Sequence, residues 1–370
     1  MRRRTVLAGA GLLGVAGCAP APAPSAAPAP APSVASVPHQ PGVVTAPPAA
    51  AVFAAFDVVS GTPEAVFRAL TPGTRATDAE VTIAVGASLF DGRFGLAKRA
   101  PRRLGAMPAF PNDVLDPALC HGDLLLQVAS HDARTADAAL RRALAPVGGA
   151  LRPRWRIDGF REENTTTTDG RAATRDLFGF REGEGNPDVR DPAVAARFVW
   201  ADDGEPAWAA GGTYQVVRRI RFSPALWDAE PTARQEAVIG RRKTDGAPLG
   251  HDREDAAFDY AADPSGQSIA LDSHIRRANP RTPETEPNRI LRRGYSFRTN
   301  PTPTTDRDEG IVFVCFQRDI EAGFATVQRR LAGQALDKYV LPVGGGYFFV
   351  LPGTTAAPDD HIGRTLTETP

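Results

Sequence analysis

Short apolar runs that read as β-strands recur along this chain in two series, each broken by a helical pattern, and this arrangement narrows the fold more than any other feature. In the first series Ala51 to Ser60 reads as a strand. Thr62-Pro63 then offers a capping hydroxyl and a proline at the first helical position, opening a helix to about Leu70. Residues 81–85 and 123–129 read as strands, and 132–144 has helical spacing in Ala139, Leu140 and Leu144, ending before Pro146 and Gly148-Gly149. The second series begins after Gly211-Gly212. It has a strand over 213–222, a short helix over 231–239 and a buried strand over 310–316. A helix over 321–331, with Phe324, Val327 and Leu331 on one face, and a last strand over 346–351 complete it. No sequence repeat links the two series, yet their element order is similar. The pattern predicts an α+β protein of two related domains, residues 49–210 and 211–370, closer to ferredoxin-like units than to a regular parallel sheet. A length of 370 residues, 42% apolar, fits that division.

What precedes residue 49 follows other rules. Arg2-Arg3-Arg4-Thr5-Val6-Leu7 is a charged start with twin arginines, and the apolar run from Ala8 to Ala16 is far below the roughly 20 residues of a spanning helix. Residues 1–18 therefore read as a twin-arginine export signal, placing the mature protein in the periplasm or at the cell surface. Val15-Ala16-Gly17-Cys18 resembles a lipobox, so Cys18 is expected to carry a lipid, the protein's one link to a membrane; an ordinary signal cut near the same place is the alternative. Residues 19–48, mostly Ala, Pro, Ser and Val, bury too little to offset their ordering entropy and read as a tether. Of the remaining cysteines, Cys120 and Cys315 sit in or beside apolar runs and are expected to be buried free thiols. Lys plus Arg and Asp plus Glu number 43 each, which leaves no field to attract nucleic acid.

From about Gly240 to Thr305 the chain shows little periodicity and much Gly, Pro, Asp and Arg. A span of that length is expected to be a functional loop. His274 lies in it, with Arg276, Arg277 and Arg281 close by. Guanidinium groups at such positions can pair with the propionates of a haem held by the histidine, whereas the bland alternative is a solvated basic loop. Upstream, Glu182 sits in Gly179-Phe-Arg-Glu-Gly-Glu-Gly-Asn-Pro187, where Gly183 and Gly185 let the backbone approach a flat ligand and Phe178 and Phe180 supply apolar walls. The alternative there is a Gly-Asn-Pro turn with exposed acids. Arg292 follows the apolar pair Ile290-Leu291 and suits a donor held over a pocket where negative charge develops, with Arg293 its rival. A histidine, a carboxylate and an arginine are the set a haem peroxidase requires.

These stretches are recognisable. Phe178 to Pro187 resembles the Gly-x-x-Asp-Gly signature of the dye-decolorising peroxidases, Asp272 to Arg281 their proximal histidine motif, and Leu291 to Phe297 their distal arginine motif. Residues 88–96, 217–221, 239–249 and 342–349 resemble the exported deferrochelatase/peroxidase branch, so that the resemblance runs from about residue 50 to the C-terminus. It implies two ferredoxin-like domains with antiparallel sheets, of the dimeric α+β barrel type, and one haem b per chain lying mainly against the second domain. It further implies His274 as the proximal ligand of the haem iron, Glu182 and Arg292 as the catalytic pair, and Gly183, Glu184, Gly185, Arg276, Asn279, Pro280 and Arg281 about the haem. A carboxylate is expected to accept the other N–H of His274, with Asp337 the candidate. The family has aspartate where this chain has Glu182; one methylene is added while intrinsic pKa values differ by only about 0.4 unit. Hydrogen peroxide and a bulky organic reductant would be the substrates, and a homodimer or larger assembly the form. The second function implied by the branch is haem or iron handling in iron uptake, with peroxidase activity incidental.

Overall fold

The structure is a computed structural model that describes residues 38–75, 78–164, 173–183, 185–257, 259–300, 308–355, 357 and 359–368. Its first half runs β1 (Ala50–Val58), α1 (Pro63–Thr74), β2 (Glu80–Gly86), β3 (Leu124–Ser130), α2 (Ala133–Leu144) and β4 (Leu151–Phe160). Local chemistry starts both helices: Thr62 accepts a hydrogen bond from the Ala65 N–H ahead of Pro63, and Asp132 accepts one from the Thr135 N–H. The small pair β5 (Glu162–Asn164) and β6 (Ala173–Arg175) and the helix α3 (Pro192–Phe198) lead into the second half. That half contains β7 (Thr213–Phe222), α4 (Pro224–Asp228), α5 (Thr232–Ile239), α6 (His274–Ala278), β8 (Leu291–Arg292), β9 (Tyr295–Arg298), β10 (Glu309–Gln317), α7 (Thr326–Leu331) and β11 (Val340–Val350).

The strands β2-β3-β1-β4 lie side by side in the first half, and β9-β10-β7-β11 in the second; counted within each half, both orders are second, third, first, fourth. Each half is thus a ferredoxin-like unit, and every pairing in the large sheet is antiparallel. The units join twice, β11 to β2 and β4 to β9, while β7 and β10 also pair, so that eight strands close into a barrel. Closure explains why β1 is apolar almost throughout. Ala51, Phe53 and Ala55 face the barrel interior with Tyr295, Phe297, Phe316 and Phe348, whereas Val52, Ala54, Phe56 and Val58 pack outward against Val66, Phe67, Leu70 and Leu140 of α1 and α2.

Several boundaries differ from the sequence reading. The helix expected to end near Leu70 continues to Thr74, and the one expected over 321–331 begins as a π-helical turn, Glu321–Ala325, before α7. β4 escaped notice because Arg152, Arg154 and Arg156 face solvent while only Trp155 and Ile157 point inward. β11 is longer than expected because its glycines 344–346 carry no strand signal, although Gly344, Gly345 and Gly346 pair in register with β7. Cys120 and Cys315 are buried free thiols, as expected.

Residues 38–48, expected to belong to the tether, instead pack along the barrel. The Gln40 side chain donates to the carbonyls of Ile83 and Leu351 and accepts from the Ile83 N–H, which satisfies backbone groups that a sheet margin leaves open. Gly42, at φ 83°, passes so close to β2 that an added Cβ would stand 2.3 Å from the Thr82 hydroxyl.

Candidate functional site

Part of the outer sheet face of the second half borders open space. There Arg218, Ile220 and Phe222 of β7 and Ile311 and Phe313 of β10 border a cavity of about 570 Å³, the size range of small-molecule and cofactor sites. The long insertion between α5 and β8 supplies the opposite wall.

His274 opens α6 and faces this cavity. Its Nδ1 lies 2.8 Å from Gln334 Oε1, which as an acceptor fixes the proton on Nδ1 and leaves Nε2 free as a ligand atom. The sequence suggested Asp337 for this place. The structure puts Gln334 there, and Asp337 Oδ2 accepts the Gly333 N–H instead, while its charge reaches the imidazole through space. Burial lowers the His274 pKa; Gln334 and Asp337 oppose that and Arg292 adds to it. A neutral imidazole results, the form that binds a metal.

Across the cavity stand Glu182 and Arg292. Arg161 Nη1 is 2.9 Å from Glu182 Oε2 but off the hydrogen-bond direction, so neither carboxylate oxygen has an aligned donor among the described residues. Burial pushes the Glu182 pKa up, while Arg161 and Arg292 pull it down. Arg292 is set by its backbone: Asn186 Oδ1 accepts its N–H at 3.1 Å and Asn186 Nδ2 donates to its carbonyl at 2.8 Å. The rival Arg293 is committed elsewhere, to the Thr45 carbonyl and to Glu80 Oε2 at 2.7 Å. Asp176, also on the cavity wall, accepts the N–H groups of Phe178 and Phe180, and burial raises its pKa to about 7.

The remaining expected residues divide. Gly183 and Gly185 border the cavity at φ 84° and 78°, and a Cβ on either would meet nothing closer than 3.9 Å, so both turn an open face to it. Asn279 and Arg281 border it too, the Asn279 side chain accepting the Arg281 N–H at 3.0 Å. Pro280 does not border it. Arg276 turns away: it binds Asp263 and the Ile269 carbonyl and lies 4.6 Å over the Tyr260 ring. Glu184 lies outside the described residues. Arg241 and Arg289 line the cavity beside Arg281, so cations suited to carboxylates are present although Arg276 is not among them.

Sequence reasoning missed Arg161, Asn186 and Gln334 as members of the site. Asn186 carried a signal, since it sits in the glycine-rich loop; the other two carried none. A flat, iron-bearing dianionic macrocycle fits what is present: a neutral histidine, two glycines bare toward the cavity, arginines at its margin, and a buried carboxylate opposite with no aligned donor among the described residues.

Residues 40–161 and 173–355 match the family models described as Dyp-type peroxidase, N-terminal, and Dyp-type peroxidase, C-terminal. Curated relatives named deferrochelatase from Shigella flexneri serotype 5b (strain 8401) and Escherichia coli (strain K12) are each 43% identical over 89% of this chain, covering 86% and 85% of their own length. Among solved structures, a DyP-type peroxidase from Cellulomonas bogoriensis superposes with a TM-score of 0.80 at 35% identity, covering 90% of this chain and 96% of the other. Ferric DtpA from Streptomyces lividans gives 0.79 at 33%, covering 89% and 95%.

Proposed function

We propose, for a chain that belongs to the Dyp-type peroxidase family and is a haem-dependent peroxidase, that Glu182 and Arg292 form its distal pair and His274 its iron ligand. Haem b supplies the iron at which hydrogen peroxide is reduced at the expense of an organic reductant. Glu182 accepts the proton of one peroxide oxygen and returns it to the other, the oxygen that leaves as water. With one methylene more than the family's aspartate, its carboxylate lies 2.9 Å from Arg161, whose charge opposes the upward effect of burial on its pKa. Arg292 donates to the oxygen on which charge develops. Gln334 orients His274 and, by accepting its Nδ1–H, strengthens Nε2 as a donor to iron. Gly183, Gly185, Asn279 and Arg281 hold the macrocycle with Glu184 beside them, while Pro280 and Arg276, which do not border the cavity, act only by shaping the segment that carries His274, Asn279 and Arg281. The observation that carries the reading is that His274, Glu182 and Arg292, 110 residues apart at the extremes (292 − 182), border one cavity.

The test is an absorption spectrum together with peroxide-dependent dye oxidation. His274→Ala should lose the Soret band. Glu182→Ala and Arg292→Ala should keep it and lose at least about a hundredfold in turnover, the usual range for a missing proton shuttle or charge-stabilising donor. Full activity in both variants with haem bound would sink the distal assignment.

Residues 49–210 and 211–370 are taken as the two domains, the second holding the haem. Residues 1–18 are read as a twin-arginine signal leading to the periplasm or cell surface, with a lipid on Cys18; both lie outside the described residues. A homodimer or larger assembly is expected. A second reading, haem iron handling within an iron-uptake system, rests on the deferrochelatase name of relatives that align along 89% of this chain. Iron-free porphyrin fluorescence after incubation with haem, without peroxide, would separate it from peroxidase activity alone.

A further inference from the structure

The connection from β2 to β3 sends an arm out of the first half and along β11, and the mechanism above makes no use of it. Its course is fixed step by step. The N–H groups of Val114 and Asp116 donate to the carbonyls of Pro342 and Val343 at 3.0 and 2.9 Å. Asp113 pairs with Arg218, both side chains being buried, and its other carboxylate oxygen accepts the Phe110 N–H at 2.8 Å. Phe110 sets its ring edge-on to Phe324, a cavity residue, with centroids 5.8 Å apart. Between these anchors stands Asn112 at φ 74°, a left-handed conformation that asparagine tolerates better than most side chains. Its Nδ2 donates twice, to the Asp337 carbonyl at 3.2 Å and to the Val340 carbonyl at 2.9 Å. The first of these carbonyls lies in the short helical turn Ala335–Lys338, which Gln334 caps, and the second opens β11 just beyond it. Asp337 Oδ2 ties the turn back to the Gly333 N–H at 2.9 Å, and Gln334 Oε1 is the acceptor that faces His274 Nδ1. A side chain of the first half thus grips one end of the turn whose other end grips the histidine.

We propose that Asn112 is a positioning residue for the proximal side of the site: by clamping the 335–338 turn it sets the hydrogen bond from His274 to Gln334, and through that bond the electron donation of Nε2 to iron. The inference rests on the assignment of His274 as the iron ligand. A turn this short does not hold itself in place, and a hydrogen bond weakens steeply once its acceptor swings off the N–H direction. An acceptor held close to Nδ1–H leaves more electron density on Nε2 and favours ferric iron; a slack one favours ferrous.

The test compares Asn112→Gly, Asn112→Asp and Gln334→Ala in the full-length protein. Glycine keeps the left-handed backbone and deletes only the two donors, while aspartate keeps the shape and sets an acceptor against two carbonyls. Two quantities are read: the ferric/ferrous midpoint potential of the haem-loaded protein, and the exchange of the His274 Nδ1 proton with water in the apoprotein, by nitrogen-15 NMR. Gln334→Ala should shift the redox equilibrium toward ferrous by about tenfold, which is about 59 mV for one electron. Both Asn112 variants should shift it the same way by about threefold or more and speed the proton exchange by about tenfold. A residue that only stabilised the fold would move the urea midpoint and leave the potential where it was. The proposal is overturned if either quantity stays at the wild-type value in Asn112→Gly while Gln334→Ala moves both, or if the potential falls. An inert Gln334→Ala would overturn it too, because the clamp would then have nothing to transmit. Failure of the ligand assignment has a different mark, a Soret band that survives His274→Ala.

Discussion

The two halves of the barrel share one strand order and differ in what covers them. In the first, α1 and α2, 12 residues each, lay Val66, Phe67, Leu70, Ala139 and Leu140 over the sheet and fill the space. In the second, α5 has only 8 residues, α7 continues the π-helical turn Glu321–Ala325, and a long insertion stands off the sheet, leaving the cavity. A single scaffold therefore serves as core on one side and as binding site on the other. The difference lies in the short α5, in the insertion, and in buried charge such as Arg218, paired with Asp113, on the cavity side.

If the comparison is right, stability and ligand binding should separate along it. The largest expected effect is on the filled side. Phe67→Ala should cost about 3–5 kcal/mol, and the half-buried cavity wall residue Phe313→Ala about half of that or less in the apoprotein, read as urea midpoints. Equal losses would mean that the cavity face is packed as tightly as the other. Next, haem at about 100 times its dissociation constant should stabilise the protein by about 2.7 kcal/mol. The added hydrogen-exchange protection should fall on residues 274–294 and not on α1 or α2, and His274→Ala should abolish it.

Two smaller effects concern protons. Removing the Arg161 charge (Arg161→Met) takes away the first-ranked influence that lowers the Glu182 pKa, so the pKa rises further. The carboxylate is the competent base, and the acid limb of the peroxidase pH profile should move to higher pH; a shift in the opposite direction would show that the pair does not hold in solution. Asp176 has its pKa raised from 3.8 to about 7 mainly by burial. A carboxyl group of this kind favours the folded state while protonated, so its contribution is full below about pH 4 and is lost as pH rises toward 7. Asp176→Asn keeps an acceptor for the Phe178 and Phe180 N–H groups and should flatten the melting temperature across that window.

Much of this molecule was legible in one dimension. Thr62-Pro63 and the apolar runs located α1 and the strands because caps and period-two burial are local properties. His274, Glu182 and Arg292 stood out through their neighbours, and the sequence motifs carried the family. β4 did not stand out, because three arginines on its solvent face hid two inward side chains. Nor did Arg161 and Gln334, whose meaning depends wholly on what lies opposite them.

The sequence by itself determined the α+β class, the doubled element order and the chemical types at the site, since each is encoded within a few residues. Only the tertiary structure decided that Arg293 is committed to Thr45 and Glu80, which side chain accepts the His274 Nδ1–H, and that residues 38–48 pack along the barrel, with 43–47 bordering the cavity, and are not part of a tether. Those choices join positions 60 to nearly 250 residues apart, such as His274 with Gln334 and Thr45 with Arg293. Barrel closure brings them together, and no local pattern can announce a contact that two distant segments make only after the sheet has closed.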